Sequence, residues 1–257
     1  MIAQPEWISS RVAGIDVDVL TSQVLTHAIL SWTNDRVPKV AVGINAHVVN
    51  LFASNGDFRR NIQRADIRYA DGESIVRASR ALGRHMPEKI ATTDLIYPLA
   101  RAGAAEGKRF FFYGGEPGVA AAAAEVLKAA FPDLLISARD GFTGAGSVVD
   151  SITRFETDIL FVGLGDPLQQ TWIDAHRADL RCGAILSCGG LFDWTSGINT
   201  RAPAWMIRSG MEWLWRLILE PRRLGSRYLK GNPQFVARVL QQFARERRES
   251  GIAARRV

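Results

Sequence analysis

The sequence predicts an α/β fold, in which a Rossmann-like, mostly parallel sheet carries helices on both faces and a helical appendage follows at the C-terminus. Three observations support this prediction. Short β-rich runs alternate with helical patterns through the first 200 residues, several of these runs are apolar at nearly every position, and the remaining residues show only helical patterns. Alternating strands and helices favour a parallel sheet, whose strands are apolar throughout because helices cover both faces.

The individual elements follow from these patterns. Strands are predicted at residues 37–44, 67–70, 109–113, 134–138, 158–162 and 184–187. Helices are predicted between them at 74–82, 118–130, 147–155 and 169–179. Sheets of this kind bind ligands beyond the C-terminal ends of their strands, so candidate site residues are sought there.

The last 57 residues differ in charge and in pattern. Residues 201–257 hold 13 Lys and Arg against 4 Asp and Glu, whereas residues 1–200 hold 19 against 22. Such an asymmetry indicates an anionic partner at one end of the molecule. We therefore expect two units, a Rossmann-like core at 1–200 and a basic, Trp-rich helical appendage at 201–257.

The appendage itself predicts two helices. Arg208, Glu212, Arg216 and Glu220 recur every four residues and would form one polar stripe of ion pairs on an otherwise apolar helix. Pro221 would end that helix, and Asn232 with Pro233 would begin the last one. The apolar surface predicts either packing against the core or a second subunit, or contact with a membrane surface.

Composition excludes several other classes. No run of about 18 apolar residues is present, so no transmembrane helix is expected. Residues 1–10 lack a basic region followed by an apolar one, which predicts a cytoplasmic protein without a signal peptide. The two cysteines and four histidines match no metal-binding spacing, so neither a metal nor a cofactor is expected.

Polar side chains stand directly after two predicted strands. Asp71 follows the strand that ends at residue 70, where a carboxylate would face the ligand crevice and could accept a proton from a substrate hydroxyl. The alternative is that Asp71 caps the next helix. Asn45 follows the strand that ends at residue 44 and could either hydrogen-bond a sugar or base of a ligand or cap the next helix. Thr93 with Asp94 resembles another cap.

Three glycine turns follow later strands. They are Gly114-Gly115, Gly163-Leu164-Gly165 and Gly189-Gly190. Exposed amides in such turns can hold phosphate at a helix N-terminus. Glycine turns at successive strand ends predict a crevice where the backbone approaches a ligand closely, in particular a nucleotide.

These segments, in this order, resemble the WecG/TagA/CpsF family of bacterial glycosyltransferases (glycosyltransferase family 26). The matching motifs are GINAHVVN (43–50), ADGESIV (70–76), PEKIATTDL (87–95), FFYGGEPGVA (111–120), DILFVGLGDPLQQTWI (158–173) and GGLFDWTSG (189–197). The most specific motif is RAPAWMIRSGMEWLWRLILEPRRLGSRYLKGNP (201–233).

The resemblance implies an inverting, metal-independent transfer of a sugar from a UDP-sugar to a polyprenyl-diphosphate-linked saccharide on the cytoplasmic membrane face. Such enzymes serve the synthesis of cell-surface polysaccharides.

The resemblance also implies roles for individual residues. Asp71 matches the proposed family base, and Gln169 matches a family active-site Gln. The family's C-terminal arginines, placed over the donor diphosphate and the membrane, match the cluster around Arg216, Arg222, Arg223 and Arg227. By the same resemblance, substrate-binding residues are expected at Asn45, Lys89, Asp94, Gly114, Gly115 and Gly165. No nucleic-acid partner is expected, and a homo-oligomer stays open as one way to cover the apolar surface of the tail.

Three positions depart from the family pattern. Gly43 stands where the family often has Thr, which removes a hydroxyl or leaves it to be supplied elsewhere. Lys89 replaces an arginine, so a point charge replaces a planar bidentate donor. Gln170 replaces a glutamate. These departures leave the donor sugar open.

Two further function classes compete with this interpretation. One is a non-catalytic protein that binds an anionic surface, either nucleic acid or lipid. A phosphate-tracking surface would be more uniformly polar than this tail, where glutamates alternate with arginines among large apolar residues. The other is a nicotinamide-dependent enzyme, but GxGxxG after the first strand and the acidic residue that follows it are missing.

Overall fold

The computed structural model of the chain describes residues 7–254, apart from the side chains of residues 204, 223, 226, 227 and 250–254. Residues 1–6, part of the segment that bears on the signal-peptide prediction, lie outside this range. The strands are β1 (Ser9–Val12), β2 (Ile15–Asp18), β3 (Lys39–Ile44), β4 (Ile67–Ala70), β5 (Arg109–Gly114), β6 (Leu135–Arg139), β7 (Ile159–Gly163) and β8 (Ala184–Ser187). The helices of the core are α1 (Ser22–Trp32), α2 (Ala46–Ser54), α3 (Gly56–Gln63), α4 (Glu73–Ala81), α5 (Thr92–Ala105), α6 (Val119–Ala130), α7 (Ala145–Arg154), α8 (Leu168–His176) and α9 (Leu191–Thr195).

Six of these strands form one parallel sheet in the order β4-β3-β8-β7-β5-β6, which confirms the predicted fold class. Each of the six predicted strands is present, with boundaries within two residues of those predicted. Because all six strands run the same way, their carboxyl ends lie along one edge of the sheet. The residues that follow β3, β4, β5, β7 and β8 therefore meet at that edge.

Helices cover both faces of the sheet along its inner strands, whereas the edge strand β6 keeps some exposure to solvent. Along β5, Phe110 and Phe112 pack into one hydrophobic cluster with residues of α1, α5, α6 and α9, whereas Phe111 and Tyr113 pack into the opposite cluster. Alternate side chains of a strand point to opposite faces, and here both faces are buried. This is why β5 is apolar at consecutive positions rather than at every second one.

The N-terminal hairpin was not predicted from the sequence. Strands β1 and β2 pair in antiparallel register and turn at Ala13-Gly14, both with positive φ. Val12, Ile15 and Val17 are buried and join the cluster on one face of the main sheet. Each strand is only four residues long, which is too short for alternation to stand out in the sequence.

As far as residue 254, where the description ends, the tail contains three helices, α10 (Ala204–Arg208), α11 (Glu212–Leu219) and α12 (Pro221–Ala254). The prediction of one continuous helix through Arg208 and Glu220 is wrong. Met211 N donates to Met206 O and Gly210 N donates to Ile207 O, while Gly210 has a φ of 74°. This pair of bonds ends α10 in a Schellman motif that requires the left-handed residue glycine adopts most easily.

The prediction of a helix start at Asn232 and Pro233 is also wrong, because α12 runs without interruption from Pro221 past Pro233. Proline lacks the amide proton that would pair with the carbonyl of Leu229, but both residues are exposed, so water can satisfy that carbonyl. Pro221 separates α11 from α12, as predicted.

The tail packs on the core through a few buried residues and side-chain bonds. Met206, Leu224 and Phe235 are buried, and Asn50 Nδ2 donates to Gly231 O over 2.7 Å. At the end of the tail, Arg84 and Glu246 form an ion pair of 2.8 Å. Within the described part of the chain, no helix combines the length and the apolarity that a membrane span requires.

Candidate active site

A cavity of about 1540 Å³ opens at the carboxyl edge of the sheet. Its core side is formed by residues that follow β3, β4, β5, β7 and β8, and residues of α11 and α12 form another wall. Most of the predicted site residues whose side chains are described line it, namely Asn45, Asp71, Lys89, Gly115, Gly165, Gln169 and Arg216. Residues that are far apart in the chain therefore share one cavity.

Asp71 is held at this edge by hydrogen bonds to three groups. Its Oδ1 accepts from Thr92 N over 3.0 Å and from the Thr92 hydroxyl over 3.1 Å. Its Oδ2 accepts from Asn45 Nδ2 over 3.2 Å. The alternative that Asp71 caps the next helix is wrong, because Gly72 is the N-cap of α4 and no side chain caps it. The carboxylate instead binds the first amide of α5.

Asn45 is a helix cap, as one of its two interpretations predicted, and it also contacts Asp71. Its Oδ1 accepts from the amides of His47 and Val48 and so caps α2, while its Nδ2 donates to Asp71. Since both atoms of the amide are used, the orientation of the Asn45 side chain is fixed. Asn45 thereby places one donor on the catalytic candidate.

The three glycine turns lie side by side, because β5, β7 and β8 are neighbours in the sheet. Gly115 N donates to Gly163 O over 3.1 Å, and a Cβ on Gly163 would lie 2.9 Å from Gly189 O. Gly165 has a φ of 76°, which a residue with a side chain rarely adopts. Backbone is thus exposed to the cavity where side chains would otherwise fill it.

Gln169 is buried and joins two of these turns. Its Nε2 donates to Asp166 Oδ1 over 3.0 Å, and its Oε1 accepts from Gly189 N over 3.1 Å. Both ends of the amide are therefore engaged within the protein. This arrangement gives Gln169 a part in shaping the glycine turns, in addition to its place on the cavity wall.

A group of charged side chains connects the core to the tail across the cavity. Lys89 Nζ lies 3.4 Å from Glu212 Oε2, and Arg216 lies 3.5 Å from the other oxygen of the same carboxylate. The Arg216 guanidinium stacks on the Trp194 ring, 4.8 Å from its centroid. Its Nε is buried and, among the described residues, meets no hydrogen-bond acceptor. A buried donor of this kind favours an anionic ligand.

Other predicted site residues lie elsewhere or outside the described part of the chain. Asp94 does not line the cavity and instead forms an ion pair of 2.7 Å with Arg201, which lies before the tail helices. Thr93 and Asp94 are not caps, since α5 begins at Thr92. Gly114 lies against β7, where a Cβ would come within 2.3 Å of Gly163 O. Arg222 is exposed at the start of α12, and the side chains of Arg223 and Arg227 lie outside the described residues.

Sequence reasoning missed four residues that the structure places in or behind the site. Thr92, Trp194 and Glu212 line the cavity, and Tyr69 lies behind Thr92. Thr92 and Trp194 belong to two of the matching motifs, but neither carries a signal of its own there. Glu212 was interpreted only as a member of an ion-pair stripe. Its contact to Lys89, 123 positions earlier, has no local sequence signal.

Cys188 also lines the cavity, in surroundings that disfavour its reactive form. Burial is the main cause that raises the pKa of its thiol well above the usual range, and the nearby Asp193 and Asp166 act in the same direction. The thiolate is the reactive form of cysteine, and this environment favours the neutral thiol. Within the described residues, no three or more His, Cys, Asp or Glu side chains are grouped so that they could hold a metal ion.

Comparison with known proteins gives a match over nearly the whole chain. The sequence profile of the family "Glycosyl transferase WecG/TagA/CpsF family" matches residues 10–249. The chain belongs to this family. Membership makes it a glycosyltransferase and decides against a non-catalytic binding protein or a nicotinamide-dependent enzyme.

Three relatives carry the name N-acetylglucosaminyldiphosphoundecaprenol N-acetyl-beta-D-mannosaminyltransferase. The protein of Bacillus spizizenii is 30% identical over 227 residues, which cover 88% of both chains. That of Bacillus subtilis is 27% identical over 213 residues, 82% of both chains. That of Staphylococcus aureus (strain NCTC 8325 / PS 47) is 25% identical over 232 residues, 89% of this chain and 91% of the relative. The similarity therefore spans both the sheet and the tail.

Proposed function

We propose that this WecG/TagA/CpsF protein transfers a sugar from a UDP-sugar to a hydroxyl of a polyprenyl-diphosphate-linked saccharide, with inversion at the anomeric carbon. The observation that carries the proposal is the position of Asp71. Its carboxylate lines the same cavity at the strand ends as the glycine turns and Arg216 of the tail. This is the arrangement that a base for an acceptor hydroxyl and a site for a leaving diphosphate require.

In this proposal Asp71 acts as the general base of a single displacement. The acceptor oxygen attacks the anomeric carbon of the donor, the bond from that carbon to the UDP oxygen breaks, and the hydroxyl proton passes to Asp71. Oδ1 already accepts two hydrogen bonds from Thr92, whereas Oδ2 accepts one from Asn45. Oδ2 therefore has the greater remaining capacity to take the proton.

Arg216 and Lys89 would stabilise the charge that develops on the departing UDP. Arg216 lines the cavity, and stacking on Trp194 orients its guanidinium. Lys89 lies on the opposite side of Glu212 with its side chain mostly buried. Fixed cations in a partly enclosed site stabilise a leaving group because they need no reorganisation during the reaction. We propose that these side chains, rather than a bound metal, neutralise the diphosphate.

The names of the relatives suggest the first substrates to test. They imply an N-acetylmannosaminyl donor and N-acetylglucosaminyl-diphosphoundecaprenol as acceptor. At about 30% identity the sugar preference of this chain can differ, because one or two hydrogen bonds decide it. A panel of UDP-sugars with this acceptor is therefore more informative than a single pair.

We also propose that the enzyme works as a peripheral protein on the cytoplasmic face of the cell membrane, where a polyprenyl acceptor is anchored. Trp205, Trp213 and Ile218 of the tail are exposed, and Arg208 and Arg222 lie exposed in the same tail. Aromatic and aliphatic side chains beside basic ones favour an anionic lipid surface.

The experiment is release of UDP from the donor panel, with lipid-diphosphate acceptor in detergent and EDTA present. We expect release that requires the acceptor and that falls by roughly 10²- to 10⁴-fold in Asp71→Asn, the typical contribution of a general base. The β-linked or α-linked product, identified by NMR, reports whether the anomeric centre is inverted. UDP release at the parental rate in Asp71→Asn would reject the base assignment. Absence of release from every pair would reject the proposed substrates.

A further inference from the structure

Tyr69 is a fully buried residue of β4 whose hydroxyl connects indirectly to Asp71. Its Oη lies 2.8 Å from Thr92 Oγ1, which in turn lies 3.1 Å from Asp71 Oδ1. An ionised carboxylate only accepts hydrogen bonds, so the Thr92 hydroxyl must give its single proton to Asp71. Tyr69 must then donate to Thr92. The direction of both bonds is thereby fixed, from Tyr69 through Thr92 to Asp71.

The state of the Tyr69 hydroxyl fits this direction. Burial first, and the Asp71 carboxylate second, raise the pKa of Tyr69 above its ordinary value. The phenol therefore keeps its proton and remains a donor throughout the physiological range. Hydrogen bonds that act in series polarise one another, so the bond from Tyr69 strengthens the one that Thr92 makes to Asp71.

Gly43 provides the space that this arrangement needs. It is the register partner of Tyr69 on the adjacent strand β3. A Cβ at this position would lie 2.8 Å from Asp71 Cβ and 3.1 Å from Tyr69 Oη. A contact under 3.0 Å requires a shift, so with the present backbone a side chain at position 43 would press on Asp71, and either Asp71 or strand β3 would have to move. Gly43, Tyr69, Thr92 and Asp71 thus form one interdependent group.

We propose that Tyr69 and Thr92 are positioning residues, which hold Asp71 so that Oδ2 faces the acceptor hydroxyl while Oδ1 is occupied. The role of Asp71 as a base is part of the proposed function on which this inference rests. Thr92 touches both Asp71 and the cavity, whereas Tyr69 acts only through Thr92.

The kinetic test uses Tyr69→Phe, Thr92→Val and Thr92→Ser in the UDP-release assay. Tyr69→Phe retains the buried ring and removes only the hydroxyl. A misplaced catalytic group costs up to about 10²-fold in rate, so we expect kcat to fall by roughly 10- to 100-fold in Tyr69→Phe and in Thr92→Val. The KM for the UDP-sugar should stay at the parental value, because neither hydroxyl is needed to bind the donor. Thr92→Ser, which keeps the hydroxyl, should restore kcat.

Tyr113→Phe is the matched control. Tyr113 is also buried, lies on β5, and its hydroxyl donates over 3.5 Å to Thr143 O rather than toward Asp71. It should keep the parental kcat. Parental turnover in Tyr69→Phe, or an equal loss in Thr92→Ser and Thr92→Val, would overturn the proposal.

A second measurement does not depend on the reaction. Buried hydroxyl protons exchange slowly, so the Tyr69 hydroxyl proton should give an NMR signal that disappears in Tyr69→Phe. In Asp71→Asn this signal should shift, because the charge that orients Thr92 is gone, although Asp71 does not touch Tyr69 directly. If the parent releases no UDP from any donor, the proposed function fails. The shift of the NMR signal then decides by itself whether the hydrogen bonds connect Tyr69 to Asp71 through Thr92. An unchanged signal would show that Tyr69 and Asp71 are not connected.

Discussion

Lys89 Nζ lies 3.4 Å from Glu212 Oε2, and this pair joins the segment before α5 to the tail helix α11 across the cavity. The other oxygen of Glu212 approaches Arg216, so one carboxylate neutralises both cations that face the proposed diphosphate site. All three side chains are largely buried, with at most about a third of each exposed. Glu212 therefore competes with a bound diphosphate for the same partners.

The first prediction follows from this competition. Glu212→Gln keeps the side-chain shape and removes the negative charge, so UDP should bind more tightly. Two charges about 4 Å apart near a protein surface interact by up to a few kcal/mol, so removal of one of them has a measurable effect. We expect the Kd for UDP to fall by about 5- to 10-fold at low salt. Calorimetry with UDP measures this change. Glu249→Gln, the same substitution at an exposed position of α12, should leave the Kd unchanged. Weaker binding in Glu212→Gln would mean that its main role is to hold Arg216 in place.

A second prediction concerns the geometry of Arg216. The guanidinium stacks on Trp194, and an ammonium group cannot reproduce either the stack or the planar donor set. Arg216→Lys should therefore raise the Kd for UDP by roughly 10-fold although the charge is kept, since a charge-assisted hydrogen bond contributes about 1.5–3 kcal/mol. Arg208→Lys makes the same change at an exposed residue of α10 and should have no effect on UDP binding. If Arg216→Lys and the parent bind UDP equally well, then Arg216 contributes only its positive charge to UDP binding.

Gly43 gives the third prediction. Gly43→Ala places a Cβ within 2.8 Å of Asp71 Cβ, in a strand where the backbone cannot move away easily. We expect kcat to fall by at least about 10-fold, because Asp71 shifts from its position. The control is Gly146→Ala in α7, where no atom lies within 4 Å of the added Cβ and φ is not positive. That variant should gain about 0.5–1 kcal/mol of unfolding free energy through helix propensity and keep its activity. Full activity in Gly43→Ala would show that Asp71 tolerates displacement.

The sequence predicted those features that depend on short segments. Asp71 and Asn45 stand directly after strands, and strand ends meet at one edge of a parallel sheet, so the sequence alone was enough to predict their proximity. Thr92 was different, because its contact to Asp71 spans 21 positions and the TTD pattern suggested a cap on Thr93 or Asp94. A helix amide can be satisfied by a carboxylate from elsewhere in the chain, and no local rule identifies that partner.

The tail shows the same limit. The spacing of Arg208, Glu212, Arg216 and Glu220 predicted one helix, and the i,i+4 bond between Glu212 and Arg216 is present. A single glycine inside a helix costs only about 1 kcal/mol, so Gly210 gave too weak a signal to predict the break. In the structure the break is fixed by tertiary contacts as well, because Arg77 Nη2 donates over 2.7 Å to Ser209 O.

The fourth prediction is a loss of stability at high pH. Burial is the main cause that raises the pKa of the Cys182 thiol from 9.0 to about 12. The folded state thus holds this proton more tightly than the unfolded state. The contribution to stability is complete below pH 9 and is lost as the pH rises toward 12. Between these two pH values, each group of this kind lowers the free energy of unfolding by about 1.4 kcal/mol per pH unit.

Cys182→Ala removes this titration and serves to test it. The variant should be less stable at neutral pH because it loses a buried sulfur, but its unfolding free energy should decline less steeply above pH 9 than that of the parent. Urea unfolding at several pH values gives both slopes. Burial also raises the pKa values of Cys188 and Tyr69. These two groups account for any decline in unfolding free energy that remains in the variant. Identical slopes would indicate that Cys182 does not titrate differently in the two states.

The last prediction concerns the exposed apolar side chains of the tail. Trp205 is 57% exposed and Ile218 is 60% exposed, and each residue of α11 retains some exposure to solvent. If they contact lipid, the parent should float with vesicles that contain anionic lipid, and the bound fraction should fall as salt screens the arginines. The double variant Trp205→Ser and Ile218→Ser should not float and should remain in the fraction without vesicles. Ile8→Ser, at an 81% exposed position before the hairpin, is the control that should still float. The alternative is that a second copy of the chain covers this surface, and sedimentation velocity distinguishes it. In that case the parent would be a dimer, the double variant would be a monomer, and neither protein would float with vesicles.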